Sequence, residues 1–362
     1  GGEGMARPRR SKGGARGRAV AREGASTIDR PAADASSAAP PPATVAAALA
    51  VATLVLVAVV PTLVQQARTE SAGVAAPAGG GGKQPAAGGL WRPKTGGKRE
   101  TRRVAGLRVL RWLEHDTAAF TQGLVVHRGE LFESTGMYGH GTVRVLDPVN
   151  GAVTKQVELD PKLFGEGLAG LGDMLVLLTW REQTGKVFEA ATLDEVQTFK
   201  YDGRTSTNEG WGVTHDGSHF VVSDGSDKLH SWNAEDVFAG TLRKVGTTAV
   251  RYPDGRPATL LNELEWIPDA GGVVLANVWY QDVIVAIDPA TGYVLHTYDF
   301  GRLHPKRGPR EDCFNGIALN ATARTLILTG KYWPRMYVVD FPDQTAVYAA
   351  ARAALPAAVP PE

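Results

Sequence analysis

The chain has 362 residues with 39 basic and 38 acidic side chains, a formal charge of +1, too balanced for an electrostatic nucleic-acid binder. Its 8 Trp, 9 Tyr and 10 Phe are unevenly placed: only Trp91 lies in residues 1–100, so that stretch cannot bury a core of its own, whereas the ~260 residues that follow can. The single cysteine, Cys313, excludes an intrachain disulfide and any multi-cysteine metal site.

Residues 1–43 read as a disordered basic tail, with Arg7, Arg9, Arg10, Arg16, Arg18, Arg22 and Arg30 ahead of a Pro/Ala/Ser stretch. Thr44–Val64 is free of charge over 21 residues, and at about 1.5 Å per residue it reaches across a bilayer core of about 30 Å. The basic excess before it predicts a signal anchor with the N-terminus cytosolic and the rest of the chain outside. The expected product is a single-pass type II protein of the secretory pathway; a cleaved, secreted form or an arginine-rich organelle transit peptide are the alternatives. Residues 65–100, with Gly79–Gly82 and scattered Pro and Lys, read as a flexible linker.

From residue 101 the texture changes to short apolar runs divided by turn dipeptides such as Asn150-Gly151, Asp216-Gly217 and Asp254-Gly255. Five copies of a polar-Gly-apolar opening recur: Thr121-Gln-Gly-Leu124, Gly165-Glu-Gly-Leu168, Gly210-Trp-Gly-Val213, Asn262-Glu-Leu-Glu265 and Phe314-Asn-Gly-Ile317. With Gln122, Glu166, Trp211, Glu263 and Asn315 as equivalents, the spacings are 44, 45, 52 and 52. A strand follows each opening: Glu130–Ser134, Met174–Thr179, His219–Ser223, Val273–Val278 and Thr325–Thr329. A period of 40–50 residues built from strands is that of propeller blades, so residues 101–345 are predicted to form an all-β, five-bladed propeller. A β-sandwich would not require the repeat. The leading strand Val104–Leu113 has no blade of its own and is predicted to complete the fifth, leaving residues 346–362 as an Ala/Pro-rich tail.

Equivalent positions of a propeller meet around one mouth. The openings would bring there Gln122, Glu166, Trp211, Asn262 or Glu263, and Asn315; the ends of the next strands would bring Trp180, Asp224, Trp279 and Lys331. Such a set suits a small-substrate pocket. Gln122 and Asn315 could equally serve strand-end backbone groups, and Asp224 with Asp227 reads more as a turn. His115 and His140 fall near predicted loops without metal-ligand spacing. Three function classes fit the residues: an enzyme, a non-catalytic propeller gripping a peptide end or a sugar, and a metal-dependent hydrolase such as a lactonase drawing on Glu166, Asn262, Glu263 and Asn315.

The strings F-T-Q-G-L (120–124), E-S-T-G-M-Y-G (133–139), F-G-E-G-L (164–168), G-W-G-V (210–213), L-N-E-L-E (261–265), N-V-W (277–279), F-N-G-I-A (314–318) and T-G-K-Y-W-P (329–334) resemble, in order and spacing, the plant and bacterial type of glutaminyl cyclase. The resemblance covers about 104–341, and it implies the same five-bladed fold. It implies cyclisation of N-terminal glutamine of peptides and proteins to pyroglutamate with release of ammonia. The pocket residues it implies are Phe120, Gln122, Trp180, Trp211, Asn262 and Trp279, with Glu166 as the catalytic acid. Lys331 completes the implied pocket, and with the indole N–H groups it is a candidate for contacts to the carbonyl or oxyanion. Asn208-Glu209, where the family often has Asp-Gly, is a departure. No cofactor is required. A divalent cation in the channel is associated with the fold, but no ligand set is readable. The expected partners are Gln-initiated peptides and, through residues 44–64, a membrane; the protein is expected to be monomeric. The sequon Asn320-Ala-Thr322 is predicted at a turn of the last blade.

Overall fold

A computed structural model describes residues 102–355. The basic tail, the apolar segment 44–64 and the linker 65–100 lie outside the described residues. Among the described residues no helix is long and apolar enough to cross a membrane.

Five antiparallel sheets make up the fold, four of them four-stranded and one five-stranded. Blade 1 runs Thr121–His127, Glu130–Thr135, Thr142–Leu146 and Val153–Glu158. Blade 2 runs Gly165–Leu171, Met174–Thr179, Thr184–Glu189 and Glu195–Lys200. Blade 3 has Val213–His215, His219–Ser223, Lys228–Asn233 and Lys244–Ala249. Blade 4 has Leu261–Ile267, Val273–Val278, Val283–Ile287 and Val294–Asp299. The first strands of the five blades contact one another around a ring, which makes the sheets a five-bladed propeller.

Blade 5 joins the two ends of the domain. Phe314–Asn320, Thr325–Gly330 and Arg335–Asp340 are completed by Leu107–Glu114, whose Val109 lies opposite Val339 and Leu113 opposite Met336. The alternation Leu107, Val109, Leu113 inward and Arg108, Glu114 outward is what a strand with one covered face requires. The leading strand is not continuous, however. Ala105 and Gly106 adopt left-handed φ and turn the chain, so Arg103–Val104 forms a short fifth strand beyond it.

Each seam between neighbouring blades holds its own apolar cluster. Phe132 and Val143 meet Leu168 and Leu175 between blades 1 and 2, and Leu124 and Leu131 meet Leu113, Ile327 and Val338 at the closing seam. The glycine of the repeated opening has a steric cause. A Cβ at Gly123 would collide with Leu168 of the next blade, one at Gly167 with the Trp211 carbonyl, and one at Gly212 with the Asn262 carbonyl. The inner strands pack so closely there that only hydrogen fits.

The segment expected to be a tail begins as a helix, Thr345–Ala353. It docks through one buried residue, Tyr348, whose hydroxyl lies 2.9 Å from that of Tyr298, and through Arg352, which donates to Asp288 at 3.0 Å. Residues 356–362 lie outside the described residues.

Candidate active site

The openings lie where the ladder is interrupted. Register shifts fall between Thr121 and Gly123, Gly165 and Leu168, Leu261 and Leu264, and Phe314 and Ile317. A bulge frees a residue from the alternation and re-aims its side chain. In blades 1, 2 and 4 the freed residues include Gln122, Glu166 and Asn262, and all three line one cavity of about 230 Å³.

Phe120, Gln122, Glu166, Trp180, Trp211, Asn262, Trp279 and Lys331, the eight residues singled out from the sequence, all line that cavity. Glu166 is 5% exposed and Lys331 4%. Gln122 Nε2 donates to Glu166 Oε1 at 2.9 Å, and Ser134 Oγ fixes the Glu166 backbone by donating to its carbonyl at 2.5 Å. Glu166 makes no ion pair among the described residues. Burial holds its carboxyl well above the ordinary value; the Lys331 charge pulls the other way, while Glu209 and Glu182 add to the upward shift. The Lys331 ammonium stands 4.4 Å from the Phe120 ring centroid, a cation–π contact. Two amide oxygens, Gln122 Oε1 and Asn262 Oδ1, are buried with no partner in the protein. Buried acceptors are normally satisfied, so these two are available to a ligand's N–H groups.

Several expectations for neighbouring residues are corrected. The indole N–H groups are not all available to a substrate: Trp180 Nε1 and Trp211 Nε1 both donate to Glu209 Oε2, at 2.8 and 2.9 Å. Of the three indoles lining the cavity, only that of Trp279 has no hydrogen bond from its ring N–H among the described residues. Asp224 does not line the cavity; it accepts from Ser206 N, Thr207 N and His230. Burial opposes its charge, but the bonds from His230 and Ser226 prevail and bring its carboxyl to about 2. Asn315 is structural, donating to the Thr121 and Gln122 carbonyls of blade 1. Glu263 occupies the channel between blades, accepting from Leu124 N at 3.3 Å and Ile317 N at 2.8 Å. His115 does open a loop, as expected, directly after Leu107–Glu114, but its side chain faces inward. It is buried at the end of the closing strand, 2.9 Å from Glu133 Oε1 and 2.6 Å from the Trp333 carbonyl.

Sequence reasoning did not assign roles to Met137, Phe164, Tyr280 and Asp312, which complete the cavity lining. Phe164 adjoins the Gly165-Glu166 opening and carried a positional signal; Met137 and Tyr280 share a place two residues past the second strand of their blades, and Asp312 lies on a loop. Among the described residues no three His, Cys, Asp or Glu converge as a metal cage. Of Glu166, Asn262, Glu263 and Asn315 only the first two line the cavity, while Glu263 accepts from backbone N–H groups and Asn315 donates to backbone carbonyls, so the four do not converge as a cation site and the lactonase reading loses its ligands.

A family model described as glutamine cyclotransferase matches residues 86–341. The chain is 35% identical over 249 residues to a glutaminyl-peptide cyclotransferase of Arabidopsis thaliana, covering 67% of this chain and 74% of that one. The crystal structure of Myxococcus xanthus glutaminyl cyclase is similar at a TM-score of 0.57 and 33% identity, over 64% of this chain and 95% of the other. A propeller with these residues around one mouth, matched across most of its length, belongs to the glutamine cyclotransferase family.

Proposed function

We propose that the cavity converts the N-terminal glutamine of peptides and proteins to pyroglutamate with release of ammonia, and that Glu166 carries the proton. The observation that supports this most is a buried, unpaired carboxylic acid between two glycines, facing a lysine and two unsatisfied amide oxygens in a cavity sized for about one residue.

The α-nitrogen attacks the side-chain amide carbon. A C–N bond forms, the carbonyl oxygen becomes an oxyanion, and the original C–N bond then breaks to free ammonia. Ring closure is intramolecular, so the gain from the protein is orientation. The α-ammonium has a pKa of about 8, and its proton must leave before attack. That proton goes to solvent; as the C–N bond forms, ionised Glu166 accepts the next proton from the attacking nitrogen and returns it to the leaving nitrogen, which departs as neutral ammonia. A carboxylate with a raised pKa takes that proton more readily than an ordinary one, and its pKa lies nearer the neutral range where it can act both as base and as acid. Lys331 Nζ and Trp279 Nε1 are the donors left for the oxyanion. Gln122 Oε1 and Asn262 Oδ1 accept from the substrate amine and amide, and the ring faces enclose its aliphatic chain.

The proposal includes membrane attachment through residues 44–64 with the propeller outside the cytosol, and a monomeric state; sequence alone supports these. Incubating the protein with a Gln-initiated dipeptide and assaying ammonia tests the chemistry. No release above background would favour a binding propeller. Digestion of the propeller by protease in sealed microsomes would reject the topology.

A further inference from the structure

Large apolar side chains stand outward around the mouth of the cavity, which Met137 and Tyr280 line and beside which the Trp279 backbone N–H holds the Leu260 carbonyl at 2.9 Å. Met137, Tyr138, Leu260 and Tyr280 are 39%, 47%, 36% and 66% exposed. The other exposed large apolar residues among the described ones are Val153, Val196 and Val245 on outermost strands and Val347 on the C-terminal helix. Half of the set therefore gathers at one place.

The backbone at this rim is strained. Met137, Leu260 and Tyr280 have φ of 81°, 63° and 57°, a region that bulky residues rarely enter. Met137 and Tyr280 each lie two residues past the second strand of their blade, and at the same place in blade 3 stands Gly225, with φ 77°. Glycine suits this turn, yet three blades carry large side chains there, Met137, Tyr280 and, in blade 5, Tyr332 with φ 61°. Strain kept at a site mouth points to a use for the side chains.

The rim is continuous with the cavity walls. Tyr138 meets Phe164 edge-on at 5.3 Å between centroids and donates its hydroxyl to Glu182 at 2.7 Å. Tyr280 lies 4.6 Å from Trp279. Phe164 and Trp279 both line the cavity. With glutamine inside and its amine near Glu166, the rest of the peptide can leave only through this mouth, and the second residue lies at the rim.

We infer that Met137, Tyr138, Leu260 and Tyr280 form a subsite for the side chain of the residue after the N-terminal glutamine, and that it takes apolar or aromatic side chains. The inference rests on the cyclase reading. Acidic side chains are disfavoured, because Glu182 and Asp312 flank the rim while Arg181 is committed to Glu209 at 3.0 Å.

The test compares kcat/KM of the full chain on Gln-Phe, Gln-Gly and Gln-Glu dipeptide amides, read as ammonia release. The expected order is Phe, Gly, Glu, with Phe ahead of Gly by roughly tenfold, the usual discrimination of an apolar contact. In a Met137→Gly, Tyr280→Gly double variant, whose left-handed backbone suits glycine, the Phe-to-Gly ratio falls toward one. A ratio is insensitive to the fraction of folded protein. Equal use of Gln-Phe and Gln-Gly by the wild type, or a ratio unchanged in the double variant, overturns the subsite and leaves the cyclase reading standing. Preference for Gln-Glu over Gln-Gly overturns the acidic flank. No ammonia from any of the three overturns the cyclase reading itself.

Discussion

Gln122 and Glu166 hold the same place in successive blades, and the first donates its amide to the second across 2.9 Å. The repeat thus does more than build a ring: it sets a hydrogen-bonding amide beside a buried acid from two different sheets.

Replacing Glu166 by glutamine preserves volume and removes the titratable proton. We expect kcat to fall by about 10² to 10⁴ with a much smaller change in KM. Steady-state ammonia release, with a thermal midpoint near wild type, checks this. A folded variant with near-normal kcat would take Glu166 out of the reaction.

The pH profile carries the sign of the Glu166 shift. The free enzyme needs ionised Glu166, so kcat/KM rises with pH through a carboxyl held well above its ordinary value by burial, with help from Glu209 and Glu182. Glu209→Ala removes one of those like charges and moves the acid limb to lower pH. It also frees the indoles of Trp180 and Trp211, so KM rises by roughly tenfold as two cavity walls lose their anchor. An unmoved acid limb would argue that another group controls it.

Lys331→Met removes the cavity's only buried ammonium while keeping a stem of similar length. If it donates to the oxyanion, kcat drops by about 10² to 10³. Trp279→Phe, which keeps the ring and loses the N–H, shows a loss in the same direction, whereas Trp180→Phe does not lower kcat to that extent because its N–H already belongs to Glu209. Comparable kcat losses in the two Trp variants would refute this division of labour.

His115 and Glu133 form a buried pair joining the closing strand to blade 1. Burial opposes the charge on both, yet each partner outweighs it, so His115 is raised and Glu133 lowered. The histidine's contribution is full below its unfolded pKa and fades as pH rises through the raised one. The glutamate's is full above its unfolded pKa and fades as pH falls through the lowered one. His115→Gln should therefore cost about 3 kcal/mol, or roughly 6–12 °C in Tm, with the largest gap to wild type between about pH 4.3 and 6.5. Denaturation scans across pH 4–9 read this directly; a gap that is flat with pH would deny the pair its charge.

Ring closure can be tested by shortening the chain. A protein beginning near Thr101 unfolds in one cooperative transition. One beginning near Ala118 lacks Leu107–Glu114 and leaves the edge of Arg335–Asp340 unpaired. Equal melting of the two would contradict the role of the shared blade.

Much of this was legible in the chain because the causes are local. A glycine is demanded where three of the inner strands touch the next, so Gly123, Gly167 and Gly212 mark their openings at blade-length intervals, and the residues just before them, Gln122, Glu166 and Trp211, fall at the same mouth. What escaped is what depends on distant or singular contacts. Glu209 sits between strands, and nothing around it reveals that it joins two indoles. His115 opens a loop, and its neighbours in sequence do not show that Glu133 is brought against it and buries it. The helix Thr345–Ala353 buries a single tyrosine and packs otherwise through the small Ala351 and, just past its end, the partly buried Leu355, a stripe too slight to separate its alanines from a tail.

The closure of the ring also has a consequence in time. Val109 and its partner Val339 are 230 positions apart. At the pace of synthesis, the strand made first waits on the order of 10–50 s for the strand that receives it. For that interval every nascent chain carries an unmated edge and an open apolar seam at Leu113, a surface that invites pairing with a neighbouring nascent chain. Any lesion that ends translation before Asp340 yields four blades that cannot close, so premature stops late in the reading frame should be as damaging as early ones.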